Sequence, residues 1–287
     1  KYADETIDLN ISADIQGTDI NNVIGEFNIH SLKLTTPQQT YTLNNTNLNI
    51  KQTSGQKQIR LHTDFADIHM SGNIQLDNIV EAFQSQISAH LPVLFPKQYA
   101  NNNQFDFEAT LVESDFWHHY INTDYVLTQP LHLTGHINAL ADTMQMEIEA
   151  PLVTNGNRQY NNTHIVSTNG LHMLSVSGTT RMTDTKSSRQ LLITADAHNN
   201  QLQTLLNWED QADGKSNGMV YATTTFVDSL GKVKTDISLH KSQITINDTI
   251  WYVNPSNISI YEKQICCSNV KVYNDNQYLI ANGILFD

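Results

Sequence analysis

Between Gln243 and Phe286, apolar residues return at every second position in short bursts separated by turn-forming residues. Ile244 and Ile246 bracket Thr245, and Asn247-Asp248 turns the chain. Trp251 and Val253 share a face before Asn254-Pro255-Ser256 breaks the run. Ile258 with Ile260, Ile265 with Cys267, Val270 with Val272 and Tyr278 with Ile280 repeat the pattern, divided by Glu262-Lys263 and Asn274-Asp275-Asn276. Side chains on a strand alternate between faces, so the run reads as short antiparallel strands, apolar on one face and polar on the other. Such strands are not stable alone and must pair with their sequence neighbours in an up-and-down meander.

The same alternation runs through most of the chain. Ile7, Leu9, Ile11, Ala13 and Ile15 alternate with Asp8, Asn10, Ser12 and Asp14. In the next strand Phe27 and Ile29 are in phase but Leu32 and Leu34 are not, which predicts a bulge near His30-Ser31. Strands are expected around Tyr41–Leu43, Leu48–Ile50, Ile59–Thr63 and Ile68–Leu76. From Asn78 to Phe95 the period changes: Ile79, Val80, Phe83, Ile87, Leu91 and Leu94 recur at three and four, an amphipathic helix with Asp77 or Asn78 at its start and Pro92 and Pro96 at its end. The Asn-rich Tyr99–Gln104 stretch reads as a linker. It divides a meander closed by a helix (1–98) from its continuation (99–287), together one repeat-like unit. In the second part, strands are expected at Phe105–Leu111, Leu131–Ile137, Met144–Ala150, Gln190–Ala197, Gly218–Phe226 and Thr235–Leu239. The pattern weakens between Asn155 and Ser177, with strands near His164–Thr168 and Leu171–Val176. Short helices are expected at Asp115–Ile121 and, from Leu202, Leu205, Leu206 and Trp208, near residue 205.

A formal net charge of -13 argues against nucleic-acid binding and against adhesion to anionic membranes through a basic patch. The chain starts at Lys1 with no apolar leader, so neither signal peptide nor anchor is expected within it, and a fragment of a longer protein is the simplest expectation. Cys266 and Cys267 point to opposite faces of a strand and are expected as thiols, with no disulfide framework and no metal knuckle. The chain has 12 histidines but no HExxH, and His132 and His136 fall on a strand, where residues four apart stand far from one another. No GxSxG, GxxxxGK[ST] or GxGxxG motif occurs, and the Glu147/Glu149 pair reads as a solvated face. No catalytic residue, cofactor or metal ligand is therefore expected, and the chain is read as non-enzymatic.

One-sided apolar strands can be buried in a sandwich, in a barrel or in a long curved sheet. The runs ITINDTIWYVNPSNISI and NVKVYNDNQYLIANG, with TDFADIHMSGNIQL and the helix closing on HLPVLFP, resemble the large TamB-type proteins of the Bacteroidetes, within the TamB/AsmA-like envelope proteins. The resemblance implies the third solution: an all-β fold with a few short helices, its elongated curved antiparallel sheet forming an open taco-like hydrophobic groove. It also implies a periplasmic protein, anchored to the inner membrane by a segment outside this chain. Such a protein carries phospholipid acyl chains between inner and outer membrane and supports outer-membrane biogenesis, with an outer-membrane barrel assembly protein as a further partner. The groove residues it implies are Ile7, Leu9, Ile11, Phe105, Phe107, Leu131, Leu133, Met144, Met146, Ile148, Val220, Phe226, Ile244, Ile246, Trp251 and Val253. The competing reading is a compact β-sandwich that binds a surface or a glycan.

Overall fold

The computed structural model describes residues 6–37, 40–96, 102–120, 123–170, 172–185, 187–210 and 216–286. Five strands lead off: β1 (Thr6–Gln16), β2 (Ile24–Thr35), β3 (Thr40–Thr53), β4 (Gln56–His62) and β5 (Ala66–Asn73). A 3-10 turn (Leu76–Asn78) leads into helix α1 (Ile79–Ser88). β6 (Gln104–Leu111), helix α2 (Asp115–Tyr120) and β7 (Val126–Leu127) precede an unbroken run: β8 (Leu131–Asn138), β9 (Thr143–Asn155), β10 (Arg158–Asn169), β11 (Leu174–Thr183), β12 (Ser188–His198), β13 (Gln201–Asp210) and β14 (Ser216–Ser229). The last six are β15 (Lys232–Leu239), β16 (Ser242–Ile246), β17 (Thr249–Val253), β18 (Ser256–Tyr261), β19 (Gln264–Tyr273) and β20 (Tyr278–Phe286).

All the described strands belong to one 20-stranded antiparallel sheet, a meander in which most pair with their neighbours in the chain. The apparent crossovers are single strands interrupted part-way. β14 pairs with β15 through Ala222–Ser229 and with β16 through Ser216–Met219, the two being separated only by His240-Lys241. β18 and β17 flank Asn254-Pro255 and both pair with β19. Proline cannot donate to a ladder, which accounts for the break at Pro255. β7 and β8 lie end to end against β9 around Pro130. The sheet crosses from β5 to β6 without a break, so the 1–98 and 99–287 parts share it.

The bulge expected near His30 is present: the β1–β2 register shifts between Asn10 and Ile11, leaving His30 unpaired. Opposite it in β3, Asn45 takes a left-handed φ of 55°. The two extra residues return Leu32, Leu34 and Leu43 to the apolar face.

Several expectations are corrected. The helix is ten residues long and ends at Ser88, with Leu91–Phe95 forming separate turns. The Asn78 side chain does not cap its start; it accepts a hydrogen bond from the Asn103 side chain at 2.6 Å. Residues 99–101 of the expected linker lie outside the described residues, while Asn103 is fully buried and Gln104 begins β6. β10 and β11 are long strands where the pattern is weak, with a shift of register between Asn161 and His164 where Asn162 takes a left-handed φ of 51° (Leu171 lies outside the described residues). The helix expected near residue 205 is strand β13: Leu202, Leu206 and Trp208 already alternate, and Leu205 alone mimicked a helical period.

The core lies between one face of the sheet and α1. Ile79, Ala82, Phe83 and Ile87 of the helix, with Leu91 and Leu94 after it, pack on Ile50, Ile59, Phe105, Phe107, Ile137, Met144, Leu174 and Ala197. Phe83 stands edge-on to Phe105 and Phe107, with ring centroids 6.1 and 5.6 Å away. Burying each such ring contributes about 1.5–3 kcal/mol. Val80, expected in the helix stripe, faces outward at 61% exposure. At about 100° per residue, covered positions from Ser85 to Ile87 span about 200° of the helix circumference. A helix resting on a flat sheet buries a narrower stripe.

Candidate functional site

Following the register from strand to strand reveals an apolar strip running across the sheet. Ala13, Phe27, Leu48, Leu61, Ile68, Ala109, Leu133, Ile148, Ile165, Gly178, Ile193, Leu206 and Val220 are successive cross-strand partners. They supply one residue from every strand between β1 and β14 except the two-residue β7. At about 4.8 Å per strand the strip is on the order of 55 Å long. Its glycine leaves no gap: Ile193 Cγ2 and Ile165 Cγ1 close to 3.3 and 3.4 Å from where a Cβ of Gly178 would stand. The row beside it, toward α1, holds Ile59, Met70, Phe107, Gly135 and Met146. There a Cβ on Gly135 would come within 2.5 Å of the Phe107 ring, so the glycine is what lets that ring lie over the sheet.

Most of the strip is half-buried, and Ile193 and Leu206 are exposed at 47% and 40%. Near β1 it opens into an apolar hollow of about 170 Å³, lined by Ile15, Val23, Ile24, Gly25, Phe27, Leu48 and Ile50. Lys57 is the buried cation of this face. It donates from Nζ to the Ile74 carbonyl at 2.8 Å, and loss of hydration pulls its pKa below the usual lysine value against the opposing pull of Asp19 and Asp77.

Register and strand alternation put all the residues that the resemblance implies on this one face, but in three environments. Phe105, Phe107, Met144 and Val253 are buried, the first three in the core with α1. Leu131, Leu133, Met146, Ile148, Val220, Phe226, Ile244 and Trp251 are half-buried. Ile7, Leu9 and Ile11 on edge strand β1, and Ile246 on β16, are exposed. Sequence reasoning missed Leu48, Leu61, Ile165, Ile193 and Leu206 as members of one line, because only the register aligns them.

The opposite face carries imidazoles and carboxylates in alternation. His62 pairs with Asp67 at 3.3 Å, His136 with Asp106 at 2.8 Å and His164 with Glu147 at 2.5 Å. A polar hollow on this face is lined by Asp67, His69, Glu108, Thr110, His132 and Thr134, among others. His132 and His136 do stand on a strand, as expected. Glu147 and Glu149 are exposed, as expected of a solvated face, and each also has a ligand atom within 4.8 Å of the other's and of one on His164. Nothing in linear spacing signals this grouping, which joins β9 to β10. Cys266 and Cys267 are free thiols, both half-buried. No described helix is long and apolar enough to cross a membrane.

No protein-family model matches the chain, and no curated protein or solved structure proves similar to it.

Proposed function

We propose that this chain is a non-enzymatic periplasmic segment of a TamB/AsmA-like protein, whose apolar sheet face carries phospholipid acyl chains between the inner and outer membranes. The observation that supports the reading most is the uninterrupted apolar strip from Ala13 to Val220, half-open along its length. Transfer of acyl chains needs no reaction centre: each buried CH₂ contributes about 0.8 kcal/mol, and a continuous strip lets a chain slide without leaving apolar contact. The broad coverage of α1 fits a sheet that bends around its apolar face, as a groove requires. Membrane contacts and an outer-membrane barrel partner belong, in this reading, to parts of the protein outside the chain. The described strands form one hydrogen-bonded sheet, the arrangement that a groove requires.

The test is retention of lipid. Native mass spectrometry of protein purified from a Gram-negative host should show bound phospholipid. The double variant Ile193→Asn/Leu206→Asn changes two exposed strip positions outside the buried core and should lose most of that lipid while keeping its strand circular dichroism and melting midpoint. A wild-type protein that carries no phospholipid, or a folded double variant that carries as much as wild type, would overturn the reading. Phe107 is a poor probe, because its ring is part of the core.

A further inference from the structure

We propose a first-row divalent metal site on the polar face, held by Glu147 and Glu149 of β9, His164 of β10 and His132 of β8. Glu149 is the direct cross-strand partner of His132 on one side and of His164 on the other. Glu147 lies two residues along on the same face, and His164 reaches it diagonally through Nε2 at 2.5 Å. One ligand atom from each of Glu147, Glu149 and His164 already lies within 4.8 Å of the others. A tetrahedral ion with bonds of about 2.1 Å holds its donors about 3.4 Å apart, so side-chain rotations alone can close the set.

His132 stands outside that grouping; turned toward its cross-strand partner Glu149, it brings the donors to two imidazole nitrogens and two carboxylates. Its Nδ1 stands 3.1 Å from Thr110 Oγ1, which orients the ring and leaves Nε2 to bind, as metal-ligating histidines are commonly held. The mixed set suits zinc or a neighbouring transition ion rather than magnesium or calcium, which prefer oxygen alone. His164 and Glu147 side chains are about half exposed, at 45% and 47%, so an ion can enter from solvent. The site tethers three adjacent strands on the face opposite the apolar strip and does not depend on the lipid reading.

The test is calorimetric titration of the chelator-treated full chain, made without a histidine tag, with ZnCl₂. One equivalent should bind, and His164→Ala, Glu149→Gln and His132→Ala should each weaken binding more than tenfold. His62→Ala alters another imidazole–carboxylate pair on the same face and should leave binding unchanged. Nitrogen NMR of wild type should show the ring signals of His132 and His164 shifting together at one equivalent, which secures the assignment if a variant fails to fold. No saturable ZnCl₂ binding, binding that the three variants leave within about threefold, or wild-type ring signals that do not move would overturn the site.

Discussion

Both ring nitrogens of His118 face acceptors. Nδ1 lies 2.6 Å from the Thr123 carbonyl, and Nε2 lies 2.6 Å from Glu113 Oε1. Only the doubly protonated ring can donate to both, so the bond to the Thr123 carbonyl first, and Glu113 second, hold its pKa above the usual histidine value of 6.5. The second oxygen of Glu113 accepts from the Leu127 amide at 2.6 Å, so through His118 this carboxylate ties α2 to the end of β7. A histidine pKa raised by folding adds stability that is complete below the unfolded value of about 6.5 and is lost as pH rises through the folded value. We therefore expect the His118 ring to titrate above 6.5 by NMR, and the melting midpoint to fall across that range less in His118→Gln than in wild type. A ring midpoint at or below 6.5 would contradict the two-acceptor geometry. Asp236 illustrates the opposite sign: a short hydrogen bond from the Ser259 hydroxyl, then Lys234 at 2.9 Å, hold its carboxyl below the usual range.

Among elements, the join between α1 and the sheet rests on polar as well as apolar contacts. Asn169 of β10 donates to the Gln86 side chain at 2.9 Å and to the carbonyls of Gln86 and Asp142 at 3.2 and 3.0 Å. Its Oδ1 lies 2.6 Å from Nε2 of His90, which is buried, as is Gln86. Asn169→Ala deprives those buried groups of their partners, each worth roughly 1–3 kcal/mol when left unsatisfied. Chemical denaturation should show a loss of about 2–4 kcal/mol, whereas Val80→Ala on the exposed side of α1 should cost well under 1 kcal/mol. Equal losses at the two positions would mean that the anchor contributes little. This join was illegible in the sequence, because Gln86, His90 and Asn169 meet only once β10 is laid beneath the helix. The strands were legible wherever one face is apolar and the other polar, and the slip at Ile29–Leu32 located the His30 bulge. β10 and β11 were harder, since Thr163, Ser167 and Thr180 place hydroxyls at positions on the apolar face and blur the alternation. The candidate site was legible as a face but not as a strip: the side on which Ile193 or Leu206 lies follows from alternation, and what lies beside each follows only from register.

At the scale of the whole molecule, the sheet sets the dimensions. Its twenty strands occupy seventeen positions, because β7 with β8, β15 with β16 and β17 with β18 each share one. At about 4.8 Å per step an unfolded-out ribbon of this kind is about 77 Å long, and strands of about twelve residues make it about 40 Å wide. Such a slab has a radius of gyration of about 25 Å, which sheet twist lowers somewhat. A chain of 287 residues packed into a compact domain has one of about 19 Å. Among the described residues both outer strands also present unpaired edges, and β20 carries Tyr278, Leu279, Leu285 and Phe286 largely exposed, so edge-to-edge association will raise the value with concentration. Small-angle scattering extrapolated to zero concentration separates the two shapes. A value well above 19 Å is expected from an open sheet whose apolar strip is accessible along its length. A value near 19 Å would mean that the sheet closes on its own apolar face, leaving no room for an acyl chain along the strip.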